Sequence, residues 1–257
     1  MNKLDEIFKS GKKNLLNIYC TAGYPYKEST GEVMLALQKH GADMIEIGIP
    51  YGDPVADGPV IQQSNMRALQ KGMNVALLLQ QLEEVKEAIT VPVILIGYLN
   101  PVLQYGIEKF CADAKSAGVH GIILPDLPIH EFKNEYKSIF KKHKLHFIFL
   151  ITPETSEKRI REMDKSGSGF LYAVSSSSTT GSTIAGENKS GYFKKLSRLK
   201  LKNPIMIGFG ISDRNSFENA CKYASGAIIG SAYIKTIGDN GDIDELTRQF
   251  ISQIKDK

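Results

Sequence analysis

One stretch gathers more reactive residue types than any other: Met44-Ile45-Glu46-Ile47-Gly48-Ile49-Pro50-Tyr51-Gly52-Asp53-Pro54-Val55-Ala56-Asp57-Gly58-Pro59. In an extended Met44–Ile49, alternate side chains point to opposite faces, so Ile45, Ile47 and Ile49 share one face and Glu46 shares the other with Met44 and Gly48. The isoleucines belong against a helical layer. Glu46 then points inside a curled sheet, with Gly48 leaving space above it. A carboxyl held there is partly desolvated, which raises its pKa and suits it to exchange protons near neutrality. The plainer alternative, pairing with a buried Lys or Arg, finds no basic residue at inward positions of the other apolar runs. Asp53 and Asp57 stand in turn dipeptides, and Asp57 has the alternative of capping a helix opened by Pro59. Its place in the loop directly above Glu46 offers instead two carboxyls in unlike surroundings, a proton shuttle and a charged anchor.

Two glycine bends, Gly208-Phe209-Gly210-Ile211-Ser212 and Gly230-Ser231, follow late apolar runs. Glycine lets backbone N–H groups approach an anion, and a helix N-terminus adds the positive end of its dipole. Both bends predict a phosphate grip, to which Gly181 adds a further backbone donor. The five histidines, His40, His120, His130, His143 and His146, have no ligand spacing, so no metal site is predicted. No lysine lies in Phe170–Val174 or the other apolar runs, which speaks against Schiff-base chemistry.

The elements that must position these groups repeat. Apolar runs occur at Leu15–Cys20, Met44–Ile49, Val91–Tyr98, Gly121–Leu124, His146–Ile151, Phe170–Val174, Ile205–Gly208 and Ala227–Gly230. Their starts are separated by roughly 30 residues on average, the length of one strand-plus-helix unit. Most are continuously apolar, as strands covered on both faces are. Between them lie helical stripes: Leu78, Leu82, Val85 and Ile89; Ile107, Phe110, Cys111 and Ala114; Phe132, Tyr136, Ile139 and Phe140. Extra helical pieces are predicted at Leu4–Lys9, Val60–Lys71 and Ile243–Ile254. The pattern predicts an α/β fold, one (β/α)8 TIM barrel over residues 1–257, with short extra helices at the N-terminus and after the second strand. An open doubly wound sheet is the rival, but Thr21-Ala22-Gly23-Tyr24-Pro25 lacks the glycine fingerprint that sheet usually carries after its first strand. The polar run Ser175–Thr183 follows the sixth strand, a position that predicts an active-site lid.

Composition agrees with an ordinary globular protein. The chain has 257 residues, a net charge of +4, 42% hydrophobic and 23% charged residues. Its three cysteines, Cys20, Cys111 and Cys221, form no disulfide framework or zinc ribbon. The longest apolar stretch, Val91–Leu99, is about nine residues against the ~20 that span a bilayer. A charged N-terminus and dispersed lysines predict a cytoplasmic protein that binds neither membrane nor nucleic acid.

The run from Glu46 to Gln62 closely resembles the signature of the tryptophan synthase alpha subunit family. The likeness continues through Tyr98-Leu99-Asn100-Pro101, Asp126-Leu127-Pro128, Gly208-Phe209-Gly210-Ile211 and Gly230-Ser231-Ala232, covering essentially the whole chain. The resemblance implies a lyase (EC 4.2.1.20) that cleaves indole-3-glycerol phosphate to indole and glyceraldehyde 3-phosphate. It implies no cofactor in this chain, and a beta subunit carrying pyridoxal phosphate that receives the indole in an alpha2-beta2 heterotetramer. Glu46 falls on the family's general acid/base and Asp57 on the carboxylate facing the indole N–H. Tyr172 and Thr180 match a supporting tyrosine and a lid threonine; Gly181, Gly210, Gly230 and Ser231 match the phosphate cradle. Tyr19 and Phe209 match aromatic positions flanking the indole, and Pro50, Asp53 and Asn100 the subunit contact. The chain departs from the family pattern at Gly52, which stands where serine is common, and in the lid, Ser175-Ser176-Ser177-Ser178-Thr179-Thr180-Gly181, where serine replaces the usual arginine and one glycine. Alternative readings are a stand-alone indole-producing lyase, a barrel that mainly activates its beta partner, and another sugar-phosphate barrel enzyme such as an isomerase.

Overall fold

Alternation along the strands sorts the core into two clusters. Residues such as Ile18, Ile45, Ile47, Ile49 and Leu95 pack outward against the helices, whereas Leu15, Met44, Ile94, Ile123, Phe170, Tyr172, Met206 and Ile228 pack against one another inside the ring. A computed structural model of the chain describes residues 2–174, 186–238 and 241–255. Its strands are β1 (Leu15–Thr21), β2 (Met44–Gly48), β3 (Val93–Ile96), β4 (Gly121–Ile123), β5 (His146–Phe147), β6 (Phe149–Ile151), β7 (Leu171–Val174), β8 (Ile205–Gly208) and β9 (Gly226–Ile229). All pairings between them are parallel, in the order β5-β4-β3-β2-β1-β9-β8-β7-β6.

The run predicted as one strand, His146–Ile151, is split at Ile148. β5 pairs with β4 and β6 with β7, while the Ile148 N–H donates to Ile122 O at 3.0 Å. One broken run thus touches both neighbours and closes the ring, giving the eight-position barrel that the sequence predicts. Parallel strands joined by helical crossovers need both faces covered, and a closed ring leaves no strand edge bare.

The expected extra helices form at Lys3–Lys9, Pro59–Gln70 and Ile243–Ile254. The first plugs the N-terminal end of the barrel. Leu4 is fully buried, Ile7 and Phe8 pack on the inner cluster, and Phe8 meets Phe170 at 5.9 Å between ring centroids. Asn2 fixes the plug twice over. Its Oδ1 accepts from the Leu4 N–H at 3.0 Å, and its Nδ2 donates to His120 O at 3.0 Å. The last helix packs Phe250 and Ile251 inward and hydrogen-bonds Thr247 to Tyr233 at 2.8 Å.

Two helical stripes differ in detail from the pattern predicted. The helix Val75–Val85 ends before Ile89, which is buried in the segment beyond it. A π-helical turn, Phe132–Tyr136, interrupts the third stripe. Phe132 there stacks on Phe147 at 4.1 Å, so aromatic packing sets this helix's course as much as its period does.

Candidate active site

Glu46 lies in the middle of β2 with its side chain inside the ring. It is 1% exposed, opposite Tyr19 of β1 on one side and Ile94 of β3 on the other. Burial, which disfavours the charged form, lifts its pKa to about 8, assisted by the nearby Asp57 carboxylate and opposed by a hydrogen bond from Asn17. No Lys or Arg pairs with it among the described residues; the hydrogen bond comes from Asn17 Nδ2 to Oε2 at 3.1 Å. The carboxyl is therefore poised between its two protonation states near neutral pH.

Asp57 does not cap the following helix. Gly58 takes the N-cap position of Pro59–Gln70 without a side-chain bond. The turn is tied by backbone instead, with the Asp57 N–H donating to Pro54 O at 2.9 Å, and Gln62 Nε2 donating to Asp57 O at 2.8 Å. The Asp57 carboxyl is free to face the barrel, where burial raises it to about 6 against a hydrogen bond from Tyr98. The Tyr98 hydroxyl also accepts the Ala56 N–H at 2.9 Å, and its ring stacks on Tyr51 at 5.1 Å. Tyr98 thus holds the loop that carries Asp57. The neighbouring Asp126 fixes the start of the helix Leu99–Tyr105 by accepting the Leu99 N–H at 2.9 Å.

Both carboxyls open into one cavity of about 420 Å³, together with Tyr19, Tyr172, Phe209, Gly210, Gly230, Ser231 and Lys235. A larger hollow, about 570 Å³, lies at the opposite end beside Asn2, Asp5 and His146, but brings no pair of carboxyls together. The two late glycine bends follow β8 and β9 at the same end of the barrel as Glu46. Gly210 has φ +71°, a left-handed conformation natural to glycine, and Phe209 before it adopts φ +63°. That bend turns the Phe209 ring edge-on to Tyr172, 6.0 Å between centroids and 70° between planes. The helix Ser231–Gly238 begins at the second bend, where Ile234 makes the first backbone bond back to Gly230 O, so the amides before it lack intrahelical partners.

Two strand glycines make room for the tyrosines. A methyl group at Gly48 would strike the Tyr19 hydroxyl, and one at Gly208 would strike the Tyr172 hydroxyl. Tyr19 is steadied by Thr21 Oγ1 at 3.2 Å, itself 2.6 Å from Ser64 Oγ.

The structure therefore brings together Glu46, Asp57, Tyr19, Tyr172, Phe209, Gly210, Gly230 and Ser231. Thr180 and Gly181, with the whole predicted lid Ser175–Thr183, lie outside the described residues. Asp53 and Asn100 are exposed, beside the exposed apolar side chains Val55 and Leu103, whereas Pro50 is buried within the chain. Gly52 is exposed, and a side chain there would meet only Leu69 at 4.0 Å, so a serine would fit without rearrangement. Asn17 and Tyr98, which hydrogen-bond the two carboxyls, and Lys235, which lines the cavity, are residues to which the motifs assign no role. A lone amide inside Leu15-Leu16-Asn17-Ile18-Tyr19, on the face that also carries Tyr19, is a signal legible in the sequence.

A family profile described as tryptophan synthase alpha chain matches residues 6–256. This chain belongs to the tryptophan synthase alpha chain family. A tryptophan synthase alpha chain of Flavobacterium psychrophilum is 46% identical over 255 residues, 99% of this chain and all of the relative. Among solved structures, tryptophan synthase subunit alpha from Legionella pneumophila superposes with a TM-score of 0.90 at 35% identity, covering 99% of this chain and 97% of the other. A chain of tryptophan synthase from M. tuberculosis, in its aminoacrylate-bound form, gives 0.86 at 28% identity, with 99% and 98% covered. Members of the tryptophan synthase alpha chain family are lyases that cleave indole-3-glycerol phosphate, and this chain is one of them.

Proposed function

We propose that Glu46 and Asp57 divide the cleavage of indole-3-glycerol phosphate between them. Breaking the bond between the indole ring and the glycerol chain needs a proton placed on the ring carbon and one removed from the adjacent hydroxyl. Glu46, held near neutrality, performs both in turn: its acid form protonates the ring carbon, and the carboxylate so formed takes the hydroxyl proton as the bond breaks. Indole and glyceraldehyde 3-phosphate leave, and Glu46 is again the acid. Asp57 faces the ring N–H and stabilises the positive charge that develops there. Tyr19 and Phe209 flank the ring, and Tyr172 is the supporting tyrosine. The bends at Gly210 and Gly230-Ser231 hold the phosphate with backbone N–H groups, joined by Gly181 of the lid, and Thr180 steadies Asp57. The phosphate grip supplies binding energy remote from the reacting bond.

One observation carries this reading: two carboxyls, raised to about 8 and about 6, share one 420 Å³ cavity with two glycine bends. No step calls for a cofactor in this chain. The whole chain acts as one catalytic barrel in the cytoplasm and passes indole to a beta subunit that carries pyridoxal phosphate, in an alpha2-beta2 assembly. The exposed side chains Asp53, Val55, Asn100 and Leu103 form the docking face, with Pro50 beneath it. Steady-state cleavage of indole-3-glycerol phosphate, with and without beta subunit, is the test. Release of indole that rises at least tenfold with the partner supports the reading. High activity indifferent to the partner supports a stand-alone lyase, and absence of cleavage in both leaves only an activator.

A further inference from the structure

Asn17 is a polar side chain where packing alone calls for an apolar one. It lies on the inward face of β1, two residues before Tyr19, and is fully buried between Met44 of β2 and Ile228 of β9. Its Nδ2 donates to Glu46 Oε2 at 3.1 Å, while its Oδ1 is buried with no hydrogen-bond partner. A buried acceptor left unpaired costs about 1–3 kcal/mol. A leucine would avoid that cost and fill the same space. The amide is matched instead to the carboxyl it touches.

A carboxylate accepts only, and Nδ2 suits it. A carboxylic acid has an O–H to give, and Nδ2 cannot accept it. A half-turn of the amide about χ2 exchanges the two ends and brings the idle Oδ1 to the place Nδ2 held. The geometry points to Asn17 as a positioning residue that partners Glu46 in both protonation states, donating through Nδ2 to the carboxylate and accepting through Oδ1 from the acid. This rests on Glu46 being the proton shuttle proposed above. No proton leaves Asn17; the amide turns while the proton passes between Glu46 and the substrate.

The other titratable groups facing Glu46 do not duplicate this role. Asp57, from the loop after β2, opposes ionisation of Glu46 by like charge. Tyr19 and Cys20 of β1 and Tyr172 of β7 stay protonated across the working range, each raised mainly by its burial. Lys235 reaches the cavity from the helix after β9 and forms no hydrogen bond to Glu46 among the described residues. Among the described residues, only Asn17 touches the carboxyl with a group that both gives and accepts.

The test uses the full-length chain with Asn17→Leu, Asn17→Asp and Asn17→Thr. Glu46 is titrated directly, by the infrared band of its protonated carboxyl against pH, with Glu46→Gln identifying the band. Cleavage of indole-3-glycerol phosphate is followed over the same pH range. Asn17→Leu is expected to raise the Glu46 midpoint by about one pH unit, as loss of a hydrogen bond to the charged form does. It is expected to lower kcat about 10- to 100-fold while KM stays within about twofold. Asn17→Asp adds a negative charge and moves the midpoint further up. Asn17→Thr, whose hydroxyl both donates and accepts, recovers much of both values, which a purely space-filling role does not predict. An unmoved Glu46 midpoint in Asn17→Leu and Asn17→Asp overturns the inference. A moved midpoint with unchanged turnover and pH profile overturns Glu46 as the shuttle while leaving the Asn17 contact intact, so the two failures are told apart. Should Asn17→Leu not fold, the other two variants still separate: the Glu46 midpoint stays close to the parent's in Asn17→Thr and rises in Asn17→Asp.

Discussion

The two ends of the barrel treat buried titratable groups in the same direction and to different ends. At the mouth, Glu46 is raised to about 8 by burial. At the plugged end, His120 is lowered to about 4, chiefly by burial and further by Lys3, Lys115 and His146. Each group is driven to its neutral form. Glu46 faces a cavity and hydrogen-bonds an amide that can turn. His120 is locked by the barrel itself, its Nδ1 accepting the Val93 N–H at 3.2 Å under the helix Lys3–Lys9. Desolvation shifts a pKa wherever it occurs; room for a reacting partner is what turns the shift into chemistry.

The largest expected effect lies at the mouth. Glu46→Gln keeps the shape and removes the proton, so kcat for cleavage is expected to fall by about 10³-fold or more, with folding intact by circular dichroism. Turnover within tenfold of the parent would remove Glu46 from the mechanism. At the plugged end the converse holds. Leu4→Ala is expected to cost about 2–5 kcal/mol of stability in urea denaturation, with KM for the substrate unchanged below the transition. A matching rise in KM would mean that the two ends are not separable.

Protonation gives the two ends opposite signatures. Folded Glu46 keeps its proton up to about 8, whereas the unfolded chain releases it near 4.5, so between those values the folded state binds more protons and loses stability as pH rises. Thermal unfolding of Glu46→Gln should therefore gain on the parent from pH 5 to pH 8, by on the order of 5 °C at the upper end. His120 runs the other way: the unfolded chain takes up a proton below 6.5 while the folded chain resists until about 4, so stability is lost as pH falls through that window. His120→Asn, which keeps an acceptor for Val93, should flatten that acid limb. A parallel slope for both variants would break the comparison. The smallest effect is expected at Lys235, a cation that reaches the mouth near the Gly230-Ser231 bend. Lys235→Met should raise KM about two- to tenfold at low salt and less at high salt, since an exposed charge is screened.

Much of the mouth was legible because β2 is a strict alternation with a carboxyl on its inner face, and because the late glycine bends punctuate strands of known spacing. The barrel followed from eight apolar runs with helical stripes between them. What escaped depends on register across strands that the sequence keeps apart. Nothing local places Tyr19 opposite Glu46, Asn17 beneath it, or the Tyr98 hydroxyl against the Asp57 loop. The break at Ile148 and the π-helical turn at Phe132–Tyr136 reflect packing among Phe132, Phe147 and Phe149, which overrides the local period. The local sequence also allows Asp57 as a helix cap, and only the backbone of the turn shows that Gly58 takes that position.

The glycines beneath the two tyrosine hydroxyls have a consequence for descent. Position 48 with 19, and 208 with 172, are each a bulky partner beside an empty one, so neither glycine can gain a side chain while its tyrosine stays. A lineage that gains a side chain on one strand must surrender the phenol on the other in the same interval or fill the mouth of the barrel. Among relatives that retain the lyase chemistry, these positions are expected to change in couples, and a survey of such pairs would read the depth of the pocket from sequence alone.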